Sequence, residues 1–175
     1  MFGEFKLLKK EREISKNTLR DILKNIGKTI SIMDLMLATT ILREEGKYVQ
    51  KGYREEYLEI YVKFFIMRVK DINEDKTDYK DNIDKKELLE SIELLKNQNQ
   101  ENDDRLNTKF PIIYTIISLY TTYILEEPIH PVGTPFPGNL KVTAEDNTYY
   151  CPVKENNKNN PSAVCKFCIA EQSKL

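Results

Sequence analysis

The chain has 175 residues and a mass of 20.6 kDa, a length that fits one domain with a small appendage. Its 27 Lys and Arg against 28 Asp and Glu give a formal charge of -1, which argues against a generally basic nucleic-acid binder. An apolar fraction of 40% beside 31% charged residues excludes a disordered or fibrous chain.

The first two thirds read as helices. Leu19, Ile22, Leu23 and Ile26 fall on one helical face, and Gly27 follows as a stop. Ser31-Ile-Met-Asp34 has capping-box spacing; Ile32, Leu35, Met36, Ile41 and Leu42 then supply a stripe, and Gly46 can end that helix in the left-handed conformation. A longer helix is expected from about Gly52 to Ile72. Tyr53, Tyr57, Tyr61 and Phe64 form one stripe of it and Leu58, Val62, Phe65 and Val69 another, so it is buried between neighbours and its tyrosines are core. Asp84-Lys-Lys-Glu87 repeats the capping spacing ahead of Leu88, Ile92 and Leu95. Pro111 suits the first turn of a helix, and the run to Leu125 is apolar nearly all round, the hub of a helical bundle. Two polar stretches, about 71–83 and 97–109, read as exposed connections.

From Glu126 onward the composition changes. Pro128, Pro131, Pro135, Pro137 and Pro161 with Gly133 and Gly138 oppose any long helix. Leu140–Thr143 and Thr148–Val153 are expected to pair as a hairpin around residues 144–147, and Val164–Gln172 to add a terminal helical turn. The expected architecture is therefore mainly α: a helical bundle over residues 1–127 and a small Pro/Gly-rich module with a short β-hairpin over 128–175.

Charges recur every few residues from Glu4 to Glu13, so no secretory h-region fits there. The apolar run from Phe110 to Leu125 is shorter than the ~20 residues that span a bilayer. A cytoplasmic protein without membrane contact is expected, and in that reducing compartment three cysteines make a poor disulfide framework. Residues 1–70 hold 15 basic and 10 acidic side chains and residues 71–109 hold 7 and 12, an asymmetry that suits two parts of one domain attracting each other.

All three cysteines and the single histidine lie in the last 46 residues. Cys165-Lys-Phe-Cys168 brings two thiolates to one ion through a tight knuckle, Cys151 sits in a Tyr-Tyr-Cys-Pro turn, and His130 opens His-Pro-Val-Gly-Thr-Pro-Phe-Pro-Gly. Three cysteines and one histidine make the four ligands of a closed tetrahedral zinc site, so His130, Cys151, Cys165 and Cys168 are the candidate metal ligands. An iron–sulfur cluster is the alternative, since a histidine can replace a cysteine there; three buried thiols without metal is the bland one. A carboxylate of Glu126 or Glu127 could orient His130 through its other ring nitrogen. Glu127-Pro-Ile-His130 has di-iron spacing, but Pro128 opposes a helix and no second histidine exists. Gly133-x4-Gly138 lacks the Lys-Ser/Thr of a phosphate loop. Tyr149 and Tyr150, with Lys141, Lys154 and Lys166, offer a weaker single-strand nucleic-acid reading.

His130–Gly138, Tyr149-Tyr-Cys-Pro-Val153 and Cys165-Lys-Phe-Cys-Ile-Ala-Glu-Gln172 together resemble the C-terminal signature of an uncharacterised protein family of methanogenic archaea. The resemblance covers about residues 128–172 and is weak over the helices. It implies an anaerobic cytoplasm with reduced thiols, and it carries no activity over. Without a catalytic dyad beside the cluster, the expectation is a non-enzymatic, zinc-stabilised binding or adaptor protein. It would meet a protein partner through the 130–138 loop. The rivals are an iron–sulfur redox protein or enzyme on the same four residues, and a single-strand nucleic-acid binder.

Overall fold

The computed structural model describes residues 3–100 and 108–174, so residues 101–107 of the predicted 97–109 connection lie outside the described residues. Five helices dominate: α1 (Lys16–Gly27), α2 (Ile32–Glu45), α3 (Arg54–Glu74), α4 (Lys85–Gln100) and α5 (Phe110–Leu119). The architecture is mainly α, as the periodicities predict. Helix α5 packs against each of the other four, because Ile112, Ile113, Ile116, Ile117 and Leu119 leave it no polar face. Pro111 sits in its first turn. Past Leu119 the helix widens into one π turn over Tyr120–Ile124, closed by Leu125 N donating to Tyr120 O at 3.1 Å.

The predicted caps form. Ser31 and Asp34 bond reciprocally to each other's backbone N–H groups, and Asp84 Oδ1 accepts from Glu87 N at 2.8 Å. Leu19, Leu23 and Ile26 of α1, Val62, Phe65, Val69 and Ile72 of α3, and Leu88, Ile92 and Leu95 of α4 are buried in one continuous core.

The stripe expected on α2 holds in part: Leu42 is buried and Leu35 and Ile41 pack against the core, but Ile32 and Met36 are 69% and 57% exposed and Ala38 is buried instead. Apolar residues lie on every face of α2, so periodicity selects none. Gly46 does not turn left-handed: its φ is -58°, and the chain tightens into a 3-10 turn over Gly46–Tyr48. Leu58 of α3 packs onto this glycine; a Cβ would stand 2.4 Å from Leu58 Cδ2, so a larger residue obliges that side chain to move.

The predicted connection 71–83 is partly ordered by pairing. Strand β1 (Ile14–Ser15) lies antiparallel to β2 (Asn82–Ile83), and Lys16 Nζ stands 3.8 Å from Asp81, an ion pair between the basic and acidic stretches.

In the C-terminal part, β3 (Pro135–Phe136) pairs with β4 (Leu140–Lys141) around Gly138 and Asn139, both at positive φ. Next, β5 (Thr143–Glu145) pairs with β6 (Thr148–Cys151) across Asp146-Asn147, whose φ values of 45° and 64° suit a primed two-residue turn. The hairpin is thus tighter than predicted, and Leu140-Lys141 turns back onto β3 instead of joining it. A helical turn, α6 (Lys154–Asn157), follows. The predicted terminal helical turn is replaced by β7 (Glu171–Gln172), which adds in parallel to β6 with Cys151 opposite Gln172. The open edge of β6 captures the last residues; no local periodicity signals it.

Ile129 and Val164 share the helices' buried core, and Phe167 stacks on Tyr123 at 6.4 Å. Where the chain leaves the bundle, Lys16 Nζ donates to Glu126 at 2.7 Å and Arg68 to Glu127 at 2.5 Å. Among the described residues, no helix is long and apolar enough to cross a membrane.

Candidate functional site

The CxxC knuckle is shaped by its own backbone: Phe167 N and Cys168 N both donate to Val164 O, at 3.3 and 3.1 Å. Lys154, from α6, donates its ammonium to the carbonyls of Cys165 and Cys168. Cys151 ends β6, and its carbonyl accepts from Ser173 N at 3.1 Å. His130 follows the buried anchor Ile129. These four elements bring Cys151, Cys165, Cys168 and His130 around one cavity of about 10 Å³, walled by Pro128, Ile129 and Val164.

All three cysteines are free thiols, Cys151 buried and the other two partly so. Burial, and then the proximity of the other cysteines, raises the Cys165 thiol to about 11. Burial also raises Cys151, with Cys168 adding to the effect. His130 lies among aromatic rings: it stacks on Tyr61 at 5.2 Å and meets the edge of Phe136 at 5.6 Å. Its Nε2 is 3.4 Å from Tyr57 Oη. Burial pushes the imidazole down to about 4, so it is neutral at physiological pH. The carboxylates of Glu126 and Glu127, which could have oriented His130, are bound to Lys16 and Arg68. The four candidate ligands line one cavity without forming a coordination shell: among the described residues, no group of three or more His, Cys, Asp or Glu side chains is placed to hold a metal ion.

The 130–138 loop is rigid from within. Thr134 is fully buried and donates its hydroxyl to Pro131 O at 2.6 Å, while Val132 is 52% exposed. Of the lysines of the nucleic-acid reading, Lys141 forms a surface ion pair with Glu56 at 2.7 Å, Lys154 is bound to the knuckle and Lys166 is exposed.

His130 and Cys165 also line a second cavity, of about 280 Å³, that sequence reasoning missed. Tyr57, Tyr61 and Tyr114 line it with Glu45, Asn99 and Phe110. The tyrosine stripe is therefore core on one side only. Burial raises all three phenols, Tyr57 to about 12, so each keeps its proton. The available signal was three hydroxyls in a stripe that full burial would have left to aliphatic residues or phenylalanine.

The chain is similar to several UPF0305 proteins of methanogens. One from Methanothermobacter thermautotrophicus is 37% identical over 154 residues, covering 88% of this chain and 94% of that protein. A second from the same organism is 35% identical over 87% and 93% of the two chains. One from Methanocaldococcus jannaschii is 30% identical over 81% and 86%. No solved structure matches the chain. Residues 15–173 match the model of DUF2115, described as an uncharacterised protein conserved in archaea, so the chain belongs to that family and the resemblance to an uncharacterised family of methanogens is borne out.

Proposed function

We propose that this chain is a non-enzymatic binding or adaptor protein in which a C-terminal module, residues 128–175, packed on a helical bundle of residues 1–127, is clipped together by one zinc ion on His130, Cys151, Cys165 and Cys168. One observation carries this reading: the only histidine and all the cysteines line a single cavity of about 10 Å³. Such a volume is near the lower limit of about 10–15 Å³ for a single water, so it suits an ion and no organic ligand. Zinc would bind the three sulfurs as thiolates, displacing the protons that burial favours on Cys151 and Cys165. Lys154 holds the CxxC carbonyls in place. With Nε2 of His130 against the Tyr57 hydroxyl, Nδ1 is the nitrogen left for the metal. Four protein ligands would complete the tetrahedron and leave no open position, which is the pattern of a structural site. The rigid 130–138 loop, with Val132 outward, is then the surface offered to a protein partner.

Elemental analysis of natively, anaerobically purified protein tests this. The expected result is a colourless sample with one zinc per chain. In Cys165→Ser, zinc is lost and hydrogen-exchange protection falls across residues 128–172 while α1–α5 remain helical by circular dichroism. Protein that carries no metal, or a variant that keeps both metal and tail protection, overturns the reading. Iron with visible charge-transfer absorption replaces it by the iron–sulfur alternative.

A further inference from the structure

We infer that the 280 Å³ cavity between the helices and the 162–165 segment binds one small, flat heterocycle with amide-type edges, a lactam or imide of the kind found in purine and pyrimidine bases. Nothing in this inference depends on a bound metal.

Size comes first. Pockets for drug-sized ligands run to roughly 300–1,000 Å³, so this cavity suits a molecule of one or two rings. Its walls are aromatic. Tyr57 stacks on Tyr61 with centroids 5.6 Å apart and planes at 29°, and Phe110 stacks on Tyr114 at 6.0 Å and 23°. Surfaces of this kind favour another ring over an aliphatic chain of equal volume.

The polar groups are those that read a base edge. The Tyr57 and Tyr114 hydroxyls line the cavity, and each can donate or accept. Asn99 of α4 contributes a carboxamide, a donor and an acceptor side by side, which is the complement of a lactam. That amide is fixed in place: its Nδ2 lies 3.4 Å from Thr115 Oγ1, and Thr115 in turn donates to Pro111 O at 2.8 Å. No Lys or Arg lines the cavity among the described residues, so the lining favours a free base over its phosphate ester. Bases held in protein pockets are recognised in this manner, stacked between rings and hydrogen-bonded along one edge.

Calorimetry and saturation-transfer NMR on the natively purified full chain test it, with hypoxanthine and uracil as probes. Indole is the flat comparator without a lactam, and inosine monophosphate the phosphorylated one. At least one of the two bases is expected to bind, about tenfold more tightly than indole or the monophosphate. Asn99→Leu should weaken that binding about tenfold, and Tyr114→Phe, which keeps the ring in the core, a few-fold. Circular dichroism and melting temperature would establish that each variant is folded. If neither base binds, or if indole binds as well as they do and Asn99→Leu changes nothing, the inference is wrong. The zinc reading is judged separately by elemental analysis, so either can fail alone.

Discussion

Asp34 holds the start of α2 from two directions. One of its carboxylate oxygens accepts from the backbone N–H of Ser31 at 2.7 Å and from Lys109 Nζ at 2.9 Å, tying α2 to the residue before α5. The Lys109 bond first, and then the Ser31 bonds, lower its pKa from 3.8 to about 2. A depressed carboxyl stabilises the fold above its unfolded value and loses that contribution as pH falls through the folded one. Protection factors for residues 31–36 are therefore expected to be constant down to about pH 4 and to drop between pH 4 and 2. In Asp34→Asn they should be low already at pH 7 and insensitive to acid; a variant that keeps the wild-type acid transition would contradict this assignment. A steric case stands at the other end of the helix. Gly46→Ala would place its Cβ 2.4 Å from Leu58 Cδ2, and urea unfolding should register a loss of about 1–3 kcal/mol as Leu58 gives way.

At the scale of elements, the CxxC knuckle depends on α6, a single helical turn that carries Lys154. Lys154→Met keeps the length of the stem and removes the ammonium from two carbonyls, so the C-terminal part should lose about 2 kcal/mol, read as faster exchange at Glu171 and Gln172 of β7. Unchanged exchange there would mean that water replaces the ammonium without cost. What the sequence reveals about these elements follows from how local their causes are. The caps at Ser31 and Asp84 and the apolar run of α5 are legible because each is decided within a few residues. Strands β1, β2 and β7, of two residues each, are too short to show alternation and exist only because a distant edge receives them. The gathering of His130 with the cysteines is legible from their confinement to one tail. The larger cavity is not, since Tyr57, Asn99, Tyr114 and His130 come from four separate segments and only tertiary packing makes them neighbours.

Across the whole molecule, two ion pairs fasten the chain to α1 and α3 just before it enters the C-terminal part, and they are unequal. Arg68 is 8% exposed; besides Glu127 it has Asp71 at 3.4 Å and the Phe64 ring, 4.7 Å below its guanidinium carbon, and its Nε has no acceptor among the described residues. Removing the Glu127 charge leaves a buried guanidinium with one distant carboxylate. Full burial would set that cost at several kcal/mol, but the Glu127 side chain is 40% exposed and water repairs part of the loss. Glu127→Gln should therefore lower global stability by about 1–2 kcal/mol. The carboxylate of Glu126 is 67% exposed, and Lys16 keeps Asp81 at 3.8 Å, so Glu126→Gln should cost less than about 1 kcal/mol. Because Ile129 and Val164 belong to the helices' core, the Glu127→Gln loss should appear as one shifted urea transition, with helical circular dichroism and tyrosine fluorescence moving together. A variant whose tail loosens while the helical transition stays in place would show that these ion pairs hold the module alone, and that the shared core does not couple it to the bundle.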